Sequence, residues 1–348
     1  MNKIRTAATN PFIATAASLV VLVVVATYSG FSGIIDLSPA QVFAHLTGTE
    51  TLSEREQAVF FNIRLPRIVT AMVVGATLAL SGAAYQAVFR NPLADPYLLG
   101  VSAGAGLGVT LVIVGGVSLG LTAGGFGIIG AAFIGGITAV AATVLVSRGV
   151  GFGSSATVVI LAGVAVAAFA SSIQTYIQQR NIDTVSRIYV WMLGSLNVSR
   201  WESVVSVAIP AVVCAVLILS SARLLDVMTV GDVEARTLGI DPTVVRMSLV
   251  AVATLGTASV VAISGLIGFV GIIVPHALRL LFGPGHRLLL PLTLVWGAIF
   301  LVTADTIGRT ILAPQELPVG VVTAAVGAPF FLFILRRSSR PSREGRTA

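Results

Sequence analysis

NPLADP at 91–96, then YLLGVSAGAGLGVTLVIVGGVSLG at 97–120 and on to Arg148, decides the fold of this chain. No Asp, Glu, Lys or Arg occurs in the 52 residues between Asp95 and Arg148. A bilayer core takes roughly 20 apolar residues per helix, so this run suits two crossings. Further uncharged runs cover 149–179, 203–222, 247–278 and 288–304. Only 10% of the residues are charged and the mean hydropathy is +0.98, which a water-soluble chain of 348 residues does not sustain. The fold class expected is an all-α polytopic membrane protein.

Ten spans are expected, at 12–31, 59–88, 98–115, 120–147, 156–178, 203–221, 243–264, 267–282, 288–308 and 319–335. They form one transmembrane domain over 1–335, followed by a basic tail over 336–348. An even number puts both termini on one side. That side collects fourteen basic residues against seven on the other, which places the termini in the cytoplasm. Lys3 and Arg5 before the run Phe12–Thr27 resemble a signal peptide, but no small-x-small cleavage site follows, so an uncleaved first span is expected. The 36 glycines concentrate in the spans, where small residues let helices approach. They suit either tight packing or a face that slides or lines a path. The Ala79-Leu-Ser-Gly82 and Ala262-Ile-Ser-Gly265 segments form a faint internal echo, as repeated halves do in transporters.

The polar inventory excludes most chemistry. The single lysine, Lys3, has no glycine-rich loop before it, so the chain has no P-loop for ATP. Cys214 stands alone, and His45, His276 and His286 form no ligating pair, so no metal site is expected. Net charge of +7 sits at span ends and in the tail, which argues against nucleic acid. The span centres lack the ionisable residues an ion-coupled carrier uses. What remains is a passive path driven by partners, with a stand-alone secondary carrier as the rival class.

Two segments suit docking. One is Arg223 to Pro242, in which a short helix is expected from Gly231 to about Leu238. Asp232 and Glu234 fit its first turn and Gly239 its end. Gly231, Ala235 and Gly239 recur every fourth residue and make one small face. It reads as a solvated loop helix or as a lever seated in a partner's groove. The other is Asn62-Ile-Arg64-Leu-Pro66-Arg67, where Pro66 fits a first helical turn and the arginines share a face, together with Arg309. These three either snorkel at the membrane edge or clamp carboxylates of a partner.

The segments Arg64-Leu-Pro66-Arg67, Ser81-Gly82-Ala-Ala-Tyr-Gln86, Asn91-Pro92-Leu93-Ala94-Asp95-Pro96, Leu99-Gly100-Val-Ser102-Ala-Gly104-Ala105, Leu161-Ala162-Gly163-Val164, Gly268-Phe269-Val-Gly271-Ile-Ile-Val-Pro275-His276 and Glu316-Leu317-Pro318-Val-Gly320 occur in order. Over roughly 12–335 the chain resembles the FecCD/BtuC-type permeases of ATP-binding-cassette (ABC) importers for iron siderophores, haem and vitamin B12. The resemblance implies the fold of that importer type and a dimer with a second copy or paralogue. It implies two cytoplasmic ATPase subunits, which hydrolyse ATP with magnesium, and an extracytoplasmic substrate-binding protein. It also implies the bacterial cytoplasmic membrane, and no cofactor or enzyme activity on this chain. Arg64, Arg67 and Arg309 match the arginines that meet the binding protein's glutamates. Gly231, Asp232, Glu234, Ala235, Leu238 and Gly239 match the coupling helix. Leu93, with Ala156 and Thr157, matches the cytoplasmic gate, although Ala-Thr departs from the family's gate pair. Ferric siderophore is the first expectation for cargo, with haem and cobalamin open.

Overall fold

The structure, a computed structural model, describes residues 11–33, 35, 37–49, 52–118, 125–149, 156–197 and 200–338. Lys3, Arg5 and the tail from 339 lie outside the described residues. Helix α1 runs Pro11–Phe31 and a short α2 runs Pro39–Leu46. Helix α3 is continuous over Glu54–Val88, and a 3-10 turn at Pro96–Leu99 leads into α4, Val101–Ser118. Next come α5 (Gly125–Gly149), α6 (Ala156–Arg180), α7 (Ile182–Met192) and α8 (Trp201–Ser220). Then follow α9 (Ala222–Val230), α10 (Asp232–Thr237) and α11 (Pro242–Ser264). The last three are α12 (Val270–Phe282), α13 (His286–Thr310) and α14 (Val319–Ser338). Among the described residues, seven helices have the length and apolarity to cross a membrane, and α4, α12 and α14 are shorter apolar helices. Together they are the ten spans expected.

Helix α3 is the axis of the bundle and packs against α8, α11, α12 and α13. Of its most apolar stretch 78% is buried, against 11% for α1, so α1 lies at the rim. Glycine sets the closest approaches. Gly75 faces Gly297 of α13, Gly82 faces Gly271 of α12, and Gly104 faces Gly135 of α5. At each a Cβ would run into the opposing backbone. Without a hydrophobic force between helices in lipid, such van der Waals contact is what holds them together. Polar side chains add cross-links. The Tyr85 and Thr254 hydroxyls lie 2.8 Å apart, and Ser81 donates to the Ala253 carbonyl. The glycines read as packing, while the two four-residue segments that echo each other end in glycines of different conformation. Gly82 is mid-helix, whereas Gly265, at φ +68°, ends α11.

Two local features differ from the sequence reading. The second span begins at Glu54, capped by Ser53, and Pro66 is not in its first turn. A π-turn over Ala58–Arg64, with the Leu65 N–H donating to the Phe60 carbonyl, precedes the proline. That looser turn shifts the carbonyls a proline ring would otherwise strike. Helix α7 was unforeseen, because Asp183 and Arg187 interrupt its hydropathy. It is seated by Ile188 against Ala105, Val109 and Val261. The 13 residues of α12 span about 20 Å, less than a hydrocarbon core. The irregular segment before it is enclosed by protein, as backbone at membrane depth must be. There the Tyr97 hydroxyl accepts from the Ile267 N–H and donates to its carbonyl, both at 3.2 Å.

Candidate functional site

The candidate residues gather at the two ends of α3. Arg64 and Val88, toward its two ends, are separated by about 36 Å of helix rise. At the first end, Asp305 of α13 is 2% exposed and lies between two arginines. Arg67 forks onto it with contacts of 2.8–3.0 Å, and its other terminal nitrogen reaches Glu316 at 3.0 Å. Arg309, one helical turn past Asp305, approaches the same carboxylate at 3.5 Å. It also donates to the Ser29 and Ser32 carbonyls at the end of α1. Arg64 donates to the carbonyls of Gly30 and Ile35. The three arginines are therefore brought together, but not as a free clamp. Arg64 and Arg309 are buried at 6% and 7% exposure and tie α1 to the bundle. Arg64 reaches carbonyls at the end of α1 and beyond it, whereas Arg67 reaches carboxylates beside α13. Asp305 and Glu316 are the functional candidates that reading by motif passed over. The i,i+4 spacing of Asp305 and Arg309 was the available signal.

At the other end, α10 begins after Gly231 and closes in a Schellman turn. Gly239 sits at φ +76°, its N–H donates to the Arg236 carbonyl, and the Ile240 N–H donates to that of Ala235. The short helix stands where the sequence puts it, but its faces are reversed. Gly231 and Ala235 are buried, Ala235 at 0% exposure, so this part of the small face seats α10 on its own chain. Small residues are needed there because α10 lies directly on the bundle. The outward face carries Val233 at 72% and Leu238 at 66% exposure, beside exposed Glu234 and Arg236.

Asp232 is the pivot of this end. Arg246 of α11, only 3% exposed, holds both its carboxylate oxygens at 3.0 Å, and Arg90, just beyond α3, holds one of them. Arg90 occupies the left-handed position after the helix, at φ +49°, where glycine is the residue without cost. The left-handed backbone costs an ordinary residue about 1–2 kcal/mol, and an exposed ion pair returns about 0.2–1 kcal/mol. Nearby, Asp226 accepts from the His286 N–H at 2.9 Å and pairs with its ring at 2.7 Å. Arg279 donates to Gln86 at 2.8 Å, and Gln86 in turn donates to the Gly271 carbonyl.

Leu93 is half-buried in the connector after α3, and its N–H donates to the Asn91 side chain at 3.0 Å. Ala156 and Thr157 begin α6 at the same end of the bundle, with Thr157 exposed. Connector and helix meet where Leu98 and Leu99 pack on Gly163. Asp95 in this connector is 8% exposed, and burial pushes its carboxyl up to about 6 although it accepts from the Tyr97 N–H.

The profile of the FecCD transport family matches residues 19–337. The cobalamin import system permease protein BtuC of Halobacterium salinarum is 41% identical over 286 residues, covering 81% of this chain and 74% of that protein. The hemin transport system permease protein HmuU of Yersinia pestis is 38% identical over 330 residues, covering 94% and 96%. A solved structure described as an inward-facing conformation of a putative metal-chelate type ABC transporter superposes with a TM-score of 0.82 at 31% identity, covering 93% of this chain and 98% of that one.

Proposed function

Since the chain belongs to the FecCD transport family and is thereby a permease of an ABC importer, we propose that it forms, with a second copy or a paralogue, the path for a metal chelate. Ferric siderophore is the first candidate for cargo. Relatives named for hemin and cobalamin keep those two chelates open. In this reading the membrane is the bacterial cytoplasmic one and both termini are cytoplasmic. The end bearing α10 then faces two ATPase subunits, and the end bearing Arg64, Arg67 and Arg309 faces a substrate-binding protein outside. Arg67 meets acidic residues of that protein, while Arg64 and Arg309 supply charge from behind. Leu93, Ala156 and Thr157 lie at the cytoplasmic mouth.

The observation that carries this reading is the separation of two unlike surfaces along one helix: a charged cluster that includes, among the described residues, Arg64, Arg67, Arg309, Asp305 and Glu316 at one end, and an anchored helix with an outward Val233 and Leu238 at the other. Helix α6 supports the dimer, because Ser171, Ser172 and Thr175 are exposed along it, polar groups that suit a water-filled path better than lipid. The test is uptake of labelled ferric siderophore into proteoliposomes holding this chain, its ATPase and its binding protein, with hemin and cobalamin as competitors. Uptake is expected only with ATP and both partners. Uptake by the chain alone, driven by an ion gradient, would establish the secondary carrier instead.

A further inference from the structure

We propose that the Arg90–Asp232–Arg246 clasp transmits movement of α10 to the end of α3, with Asp232 as the positioning residue that couples the partner ATPase to the connector carrying Leu93. The proposal rests on the reading of α10 as the ATPase-facing segment. Asp232 begins α10, and its two partners come from different parts of the bundle: Arg246 from α11, and Arg90 from the connector that leaves α3. Helix α10 packs on α9 and α11, so Arg90 extends its reach to a third element. From Arg90 the chain is stiff. The Asn91 side chain accepts from the Leu93 N–H, and its carbonyl accepts from the Ala94 N–H, both at 3.0 Å. Asp95 then caps the 3-10 turn. A displacement of Asp232 that carries Arg90 therefore carries Leu93 as well.

The backbone at Arg90 argues that its side chain matters for more than stability. Its left-handed conformation favours glycine, and its ion pair with Asp232, each side chain 39% exposed, is too well hydrated to offset that strain. A purely structural connector is better served by glycine. Coupling across a protein requires a contiguous element that both sites bias, and the clasp joins the outward helix to the connector by charge-assisted hydrogen bonds.

The test uses the assembled complex of permease, ATPase and binding protein in proteoliposomes, with Arg90→Gly and Arg90→Lys. Arg90→Gly relieves the backbone and should melt no lower than the parent. It should keep the ATPase bound and hydrolysing within about twofold, while uptake per ATP falls at least about tenfold. Arg90→Lys restores the charge and should recover at least half of the parent's uptake per ATP. Unchanged uptake per ATP in Arg90→Gly would overturn the clasp, as would a lysine variant no better than glycine. Loss of the ATPase from Arg90→Gly would place Arg90 in the subunit interface and overturn it too. Failure of the parent complex to import with ATP would sink the permease reading along with the clasp. A failure confined to the contrast between variants sinks the clasp alone.

Discussion

Replacing Asp305 with Asn tests how the first end is built. Asp305 is 2% exposed and is the carboxylate shared by Arg67 and Arg309, themselves 11% and 7% exposed. Losing one partner of a buried ion pair costs about 3–5 kcal/mol, because the remaining charge is left uncompensated. Here Arg67 keeps Glu316, and Arg309 keeps the Ser29 and Ser32 carbonyls, so the lower part of that range applies, about 3 kcal/mol. Such a loss shifts the folding equilibrium roughly 150-fold, since 1.4 kcal/mol is tenfold. The measurement is denaturant unfolding in detergent for parent and Asp305→Asn, with Glu316→Gln as the exposed comparison at a loss below about 1 kcal/mol. The same change has an opposite consequence for docking. The change removes one negative charge beside Arg67 and Arg309, so an acidic binding protein should associate faster at low salt, and the gain should vanish at high salt. Equal stability of parent and Asp305→Asn would refute the account of Asp305 as the buried counter-charge. Slower docking at low salt would refute the account of the cluster as a basic target.

Three further outcomes are expected. Gly82→Ala puts a methyl group into the Gly271 backbone and should destabilise by about 1–3 kcal/mol or more. Gly115→Ala meets nothing within 4 Å and should be neutral or slightly stabilising; equal melting of the two variants would argue against glycine-set crossings. Burial raises Asp95 from 3.8 to about 6, so the folded state resists ionising it. Its contribution is intact below pH 4 and declines by about 3 kcal/mol as pH rises through 6. Asp95→Asn, which keeps an oxygen for the Tyr97 N–H, should melt higher than the parent at pH 8 and no higher at pH 4, and a pH-independent difference would contradict this. Finally, Leu238→Asp and Val233→Asp on the exposed face of α10 should release the ATPase on co-purification without unfolding the bundle. Ala235→Trp should instead disrupt α10 itself, because Ala235 is 0% exposed; stable folding of the Trp variant would contradict that assignment of faces.

The number and order of the spans were legible in the sequence because the cost of burying charge in a bilayer writes itself into composition. The uncharged run after Asp95, and the shorter ones after it, mark most crossings without reference to any neighbour. The short helix after Gly231 was legible for a similar reason: Gly239 and Pro242 are local signals, and capping is a local interaction. The residues that hold the two ends together were not legible in that way. Arg64 and Arg67 look like one face of one helix, but a π-turn and the position of α1 send the first to backbone carbonyls, and α13 draws the second to Asp305. The spacing of Gly231, Ala235 and Gly239 identifies a face but not what it rests on, and only the packing of α10 on its own chain turns that face inward. Arg90 and Arg246 stand 156 residues apart in sequence and meet on one carboxylate. Hydropathy and capping act within a few residues and can be read along the chain. The choice of partner for a buried charge depends on which helices lie side by side, which only the tertiary structure decides.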